Sequence, residues 1–267
     1  MLVKSVPILI SLLLATVWCA TLFQSTGKAA VDATRAPVVV ELFTSEGCSS
    51  CPPVDAFLKA LETQQPIPGV QVIALEEHVD YWNHQGWADP YSSSDWTARQ
   101  EEYVSRFKDK TAYTPQMVVD GETQLVGNSE TEVFQAIRSA AAQPAAKVTV
   151  VAGTPDKDEQ PISVQIGALP SSEGHEAADV WLAVTESGLG NDVKAGENAG
   201  HNVQHSAVVR WFHKIGSVNP GASAAFTADP KVKLKSNWKR ENLQIVVFVQ
   251  ERKSMRILGA GAARVAG

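Results

Sequence analysis

Two cysteines two residues apart stand between a β-branched apolar run, VVVELFT at 38–44, and a segment with helical spacing, PVDAFLKALETQ at 53–64. Val54, Phe57, Leu58 and Leu61 recur every three to four positions, one apolar face of a helix. The chain must therefore leave a buried strand, make a short loop through Cys48 and Cys51, and enter a helix at once. That requirement restricts the fold more than any other feature of the sequence.

The alternation continues downstream. VQVIAL at 70–75 reads as a second buried strand, and SDWTARQEEYVSRFK at 94–108 as a helix capped by Ser94 or Asp95. QMVVD at 116–120 and TQLVG at 123–127 flank Asp120-Gly121, a dipeptide suited to a tight hairpin turn. The segment 129–143 opens with Ser129 and carries Glu132 three residues on, a capping pair, ahead of Val133, Phe134 and Ile137. The order βαβαββα with a cysteine pair after the first strand is the pattern of a thioredoxin-like α/β domain, assigned here to residues 36–144.

Beyond Pro144 the texture changes to short alternating strands at 147–153, 162–169, 179–187, 206–216, 222–228 and 243–250. They imply a second, all-β sandwich-like domain over residues 145–267. At the other end, residues 6–23 are almost wholly apolar between Lys4 and Lys28, which reads as a signal peptide over 1–30. Localisation is then periplasmic or secreted, with membrane attachment only if that segment stays uncleaved. Cys19 falls inside the apolar run, so Cys48 and Cys51 are the two cysteines of the mature chain. A formal charge of −6 gives no basic surface for phosphate backbones, which argues against nucleic acid as a partner.

The spacing of the pair suits reversible dithiol chemistry, with Cys48 at the exposed edge attacking a partner disulfide and Cys51, turned inward, resolving the intermediate. A structural staple is the competing reading. In the chain-entropy model so short a loop contributes only about 2 kcal/mol. Consecutive prolines at Pro52 and Pro53 suggest a late helix start, farther from Cys48.

Thr114-Pro115 stands just before the third strand, and a cis proline there would leave Thr114 free to pair with an extended partner chain. His78 and Asp80 leave the second strand at the cysteine end of the sheet, as proton carriers or as partners for the loop itself. Tyr81, Trp82, Trp87 and Trp96 form an aromatic group, either a groove or the packing of a long loop. Glu41 alternates with Val40 and Leu42, and is a candidate to face the cysteine loop.

Five segments together, ELFTSEGCSSCPPV (41–54), HVDYWN (78–83), GWADPY (86–91), YTPQMVVDG (113–121) and GENAGHNVQHSAVV (196–209), resemble an exported bacterial thioredoxin-like family, domain of unknown function 1223. The resemblance implies the fold, export and a CxxC site. It draws in Glu197, Asn198, His201 and His205 from a glycine-rich turn of the second domain, either as a cover over the cysteines or as a solvated hairpin.

The leading expectation is a thiol:disulfide oxidoreductase acting on exported protein thiols or disulfides, with no cofactor beyond its own disulfide. The alternatives are a copper(I) or zinc module using Cys48, Cys51 and His78, and a non-enzymatic binding protein on a thioredoxin scaffold.

Overall fold

Strand β1 (Ala36–Thr44) and strand β2 (Val70–His78) run parallel, Val38 opposite Val72 and Thr44 opposite His78. Both are apolar on both faces along most of their length, as a parallel pair covered on two sides requires. The computed structural model describes residues 1–2, 35–109, 111–170, 176–219 and 226–265. The expected signal peptide, including Cys19, lies outside them apart from its first two residues. No helix among the described residues is long and apolar enough to cross a membrane.

Helix α1 (Pro52–Gln64), helix α2 (Ser94–Phe107), strand β3 (Gln116–Val119), strand β4 (Thr123–Leu125) and helix α3 (Glu130–Ala141) complete the order read from the sequence. Helix α1 does not start late. It begins at Pro52 with prolines in its first two positions, where a missing N–H costs no hydrogen bond. The cap of α2 is Ser93, whose side chain accepts from Asp95 N, and Ser129 does the same for Glu132 N in α3. Asp120 and Gly121 both have positive φ (46° and 70°), as the tight β3–β4 turn demands. A Cβ on Gly121 would collide with the carbonyl of Met255, so the turn also permits a close backbone approach.

The remaining strands are β5 (Val148–Ala152), β6 (Glu159–Ile166), β7 (Ala178–Glu186), β8 (Leu189–Asp192), β9 (Asn202–His205), β10 (Val208–Val218), β11 (Phe226–Ala228), β12 (Lys231–Lys233), β13 (Leu243–Glu251) and β14 (Ile257–Arg264). They do not form a sandwich on their own. Four of them extend the first sheet, giving eight strands in the order β14-β13-β7-β10-β2-β1-β3-β4. The junction is the parallel pairing of Val208 with Glu76, where Glu76 N donates to Ala207 O at 2.9 Å. The described residues from Arg35 to Val265 accordingly form one compact unit, a mixed α/β fold around a large sheet.

Three cores flank this sheet. Val38, Val40 and Leu42 pack under α1 and α3. Farther along the same face, Val180, Leu182, Ile245 and Val247 pack against the small sheet of β5, β6, β11 and β12. On the opposite face Val39, Phe43, Ile73, Leu75, Val246 and Phe248 meet α2 through Trp96 and Tyr103.

Candidate functional site

Because β1 alternates, Thr44 lies on the α1 face, and its parallel neighbour His78 shares that face with Glu76 two residues earlier. The C-terminal ends of β1 and β2 therefore present Thr44, Glu76 and His78 on the face toward α1, where Thr44 Oγ1 donates to Asp55, and the Cys48–Cys51 loop joins β1 to that helix. The two cysteines form a disulfide across a sequence separation of 3, with Cα atoms 5.5 Å apart.

Cys48 does not sit at an exposed edge. Both cysteines have 0% exposure, although Ser49 and Ser50 between them are exposed. The cover comes from the far half of the chain. Asn198 Nδ2 donates to Cys48 O and to Glu46 O, both at 2.9 Å. Glu197 accepts from Ser49 N at 3.0 Å and from Ser49 Oγ at 2.6 Å. The segment Gly196-Glu197-Asn198 is thus a strap on the cysteine loop, the covering arrangement that the sequence left open. His201 stays within the strap's own turn, its Nδ1 3.3 Å from Asn198 O.

The Thr114–Pro115 peptide is cis, and Pro115 lies next in register to Thr44 because Phe43 pairs with Gln116. Trp82 bridges this segment and the cysteine loop. Its Nε1 donates to Thr114 Oγ1 at 2.8 Å, and its Cβ lies 3.2 Å from where a Cβ on Gly47 would stand. The other aromatics pack the loop: Tyr81 OH donates to Gln100 Oε1, Trp87 Nε1 donates to Glu46 Oε2, and Trp96 stands edge-on to Phe212.

Two expected placements are corrected. Glu41 faces away from the cysteines, because its neighbours Val40 and Leu42 occupy the α1 face. It joins a buried group on the α2 face, accepting from Arg99 Nε at 2.5 Å and from Tyr103 OH, with Glu77 3.5 Å from Arg99. Burial and then Glu41 drive the Glu77 carboxyl well above its ordinary range. Asp80 does not share a site with His78. It accepts from Thr97 Oγ1 at 2.6 Å and ties the loop to α2.

His78 instead enters a buried acid and imidazole cluster. Its Nδ1 bonds Asp89 Oδ2 at 2.7 Å, and its Nε2 lies 3.4 Å from Glu76 Oε1. His205, carried by β9, reaches the same Glu76 oxygen through Nδ1 at 2.6 Å and Glu46 Oε1 through Nε2 at 3.1 Å. The two rings stand edge-on, centroids 4.6 Å apart. Burial opposes charge on His205, but the Glu76 charge and the hydrogen bonds to Glu46 and Glu76 together outweigh it and lift it to about 9. Burial likewise opposes ionisation of Glu76, yet the His205 charge and the imidazole hydrogen bonds bring it down to about 2. Asp55, in the first turn of α1, accepts from Thr44 Oγ1 at 2.7 Å, and burial, then Glu76, push its carboxyl up to about 7.

Glu46, Asp55, Glu76 and Asp89 were not singled out in the sequence. The visible signal for one of them was the alternation of Glu76 and His78 at the end of an otherwise apolar strand. Among the described residues, the acidic, imidazole and thiol groups close enough to share a metal ion are Glu76, His78 and His205; the cysteines are not in that group.

A mixed α/β protein with a strapped CxxC disulfide above a buried carboxylate and imidazole cluster is the class that this fold and site define. The chain belongs to the family described as protein of unknown function (DUF1223), which matches residues 39–250. Its structure is similar to the crystal structure of an Agrobacterium tumefaciens protein, at 28% identity and a TM-score of 0.64, covering 84% of this chain and 92% of that one. It is also similar in fold to HBP35 of Porphyromonas gingivalis, at 16% identity and a TM-score of 0.65, covering 86% and 76%. No curated protein matches the chain.

Proposed function

We propose that this protein is an exported thiol:disulfide oxidoreductase on a thioredoxin-like arrangement, working through Cys48 and Cys51. The observation that carries the reading is the disulfide itself, joined across one short loop at the exit of a parallel strand and roofed by a strap. So short a bridge contributes only about 2 kcal/mol to stability by chain entropy, which leaves chemistry as its better explanation. The neighbourhood of Thr114 and Pro115, and the order βαβαββα over the first half, support the same reading.

In the reducing direction, the Cys48 thiolate attacks one sulfur of a partner disulfide and expels the other as a thiolate. Cys51 then attacks the Cys48 sulfur, releasing the second partner thiol, so the partner gains the two electrons that the cysteine pair loses. With both sulfurs buried, the strap must first let go of Ser49 and of the Cys48 carbonyl. The Ser49–Glu197 contact lies in the solvent, where water competes for it, so the buried Asn198 bonds carry most of the cost of release.

A persistent disulfide and an apolar N-terminal segment both fit an oxidising compartment, the periplasm or the exterior, with exported proteins as partners. The test uses a small disulfide substrate: Cys48→Ser abolishes its reduction, and Cys51→Ser accumulates mixed disulfides. Equal activity in Cys48→Ser and the unaltered protein rejects the proposal.

A further inference from the structure

We infer that Glu76, His78 and His205 form a binding site for a divalent transition-metal ion, separate from the cysteine pair, with zinc as the best-fitting ion. The inference goes beyond the oxidoreductase reading and does not depend on it.

One donor is already aimed and unspent. His78 Nε2 is fully buried and makes no hydrogen bond, a costly state for a polar nitrogen unless something binds it. Its other nitrogen faces the Asp89 carboxylate at 2.7 Å, and a carboxylate can only accept, so Nδ1 keeps its proton and Nε2, on the Glu76 side, is the nitrogen left to give up a proton to an ion. That nitrogen and Glu76 Oε1 are 3.4 Å apart. Bonds of about 2 Å at tetrahedral angles put neighbouring ligand atoms roughly 3.3 Å apart.

His205 repeats the arrangement from the other side. Its Nε2 faces the Glu46 carboxylate at 3.1 Å, which leaves Nδ1 for the ion. Nδ1 now shares a proton with Glu76 Oε1 at 2.6 Å; on binding, that proton leaves and the two atoms part to make room. Glu76 Oε2 is held by the backbone N–H of Ser206 at 2.8 Å, so the carboxylate is oriented with Oε1 inward. Each imidazole thus has a carboxylate behind it, the support that fixes tautomer and ring plane in protein metal sites.

Two imidazoles and one carboxylate suit zinc and leave a fourth position open. The surroundings point the same way, since the carboxylates of Glu46, Glu76 and Asp89 outnumber the two imidazoles in a space without solvent, which favours a cation there. Access runs past Tyr91, whose partly exposed ring stands edge-on to both imidazoles at 5.4 and 5.7 Å.

The experiment strips the full chain with chelator, titrates it with zinc chloride and counts bound ions by mass spectrometry under non-denaturing conditions. One zinc per chain is expected. His78→Asn and His205→Asn each weaken binding by more than about 100-fold, and Asp89→Asn by about 10- to 100-fold. The double variant Cys48→Ser/Cys51→Ser keeps its zinc, which also separates failure here from failure of the redox reading. Should the histidine variants not fold, cobalt(II) substitution of the unaltered protein decides: a nitrogen and oxygen spectrum without thiolate charge transfer supports the site. Absence of stoichiometric zinc, retention in both histidine variants, or a thiolate band lost with the cysteines overturns it.

Discussion

The side-chain amide of Asn198 donates to the carbonyl of Cys48 across 150 residues of sequence, so the second half of the chain holds the cysteine loop of the first. The same amide also bonds the Glu46 carbonyl. If each neutral hydrogen bond is worth about 1 kcal/mol, Asn198→Ala raises the population of the open strap roughly 5- to 30-fold. Reduction of the disulfide by dithiothreitol, followed by thiol labelling under conditions where opening equilibrates, is expected to accelerate by that factor. An unchanged rate means that the strap does not control access.

Arg99 is buried against Glu41, with Tyr103, Gln250 and Glu77 around it. Removing its charge leaves the buried Glu41 side chain with the Tyr103 hydroxyl but no cation beside it. Arg99→Met is therefore expected to cost about 3–5 kcal/mol in chemical denaturation, whereas Arg99→Met combined with Glu41→Leu recovers part of the loss. A double variant as unstable as the sum of the singles contradicts this.

Asp120 accepts from Val39 N at 2.7 Å, and burial pushes its carboxyl up to about 7 from an ordinary 3.8. Between about pH 4 and pH 7 the folded chain keeps a proton that the unfolded chain has lost, so its contribution to stability falls as pH rises through that window and is flat above it. Asp120→Asn keeps the accepting oxygen, tolerates the positive φ and removes the partly buried charge. It is expected to raise stability at pH 8 by at most about 4 kcal/mol, with no gain near pH 4. Equal gains at both pH values would show that the charge is not the cause.

The first half was legible because each signal was local: β-branched runs on β1 and β2, the Ser129 cap before α3, and Asp120-Gly121 at the hairpin; the cap of α2 fell one residue earlier than read, at Ser93. The second half was harder. Strand β14 went unread because ILGAGAAR has a single β-branched residue, Ile257, among glycines and alanines that do not mark a strand. Its glycines serve an approach instead, since a Cβ on Gly259 would strike Ala146 and one on Gly261 would strike Val148, where the chain entering β5 crosses. The merger of the two halves rests on Val208 pairing with Glu76, a contact between distant segments that no periodicity announces.

The buried cluster was half visible for the same reason. His78 and His205 were both named, but their meeting needs β9 to lie over the end of β2. Glu41 shows the converse: once Val40 and Leu42 are assigned to the face under α1, alternation alone sends it to the other side.

The most direct test is the equilibrium of the Cys48–Cys51 couple against glutathione buffers, read by thiol alkylation and mass spectrometry. A redox-active pair is expected to titrate reversibly at a potential less negative than about −300 mV. A pair that stays oxidised to more negative potentials, and opens only with unfolding, would be a structural bridge and would contradict the assignment.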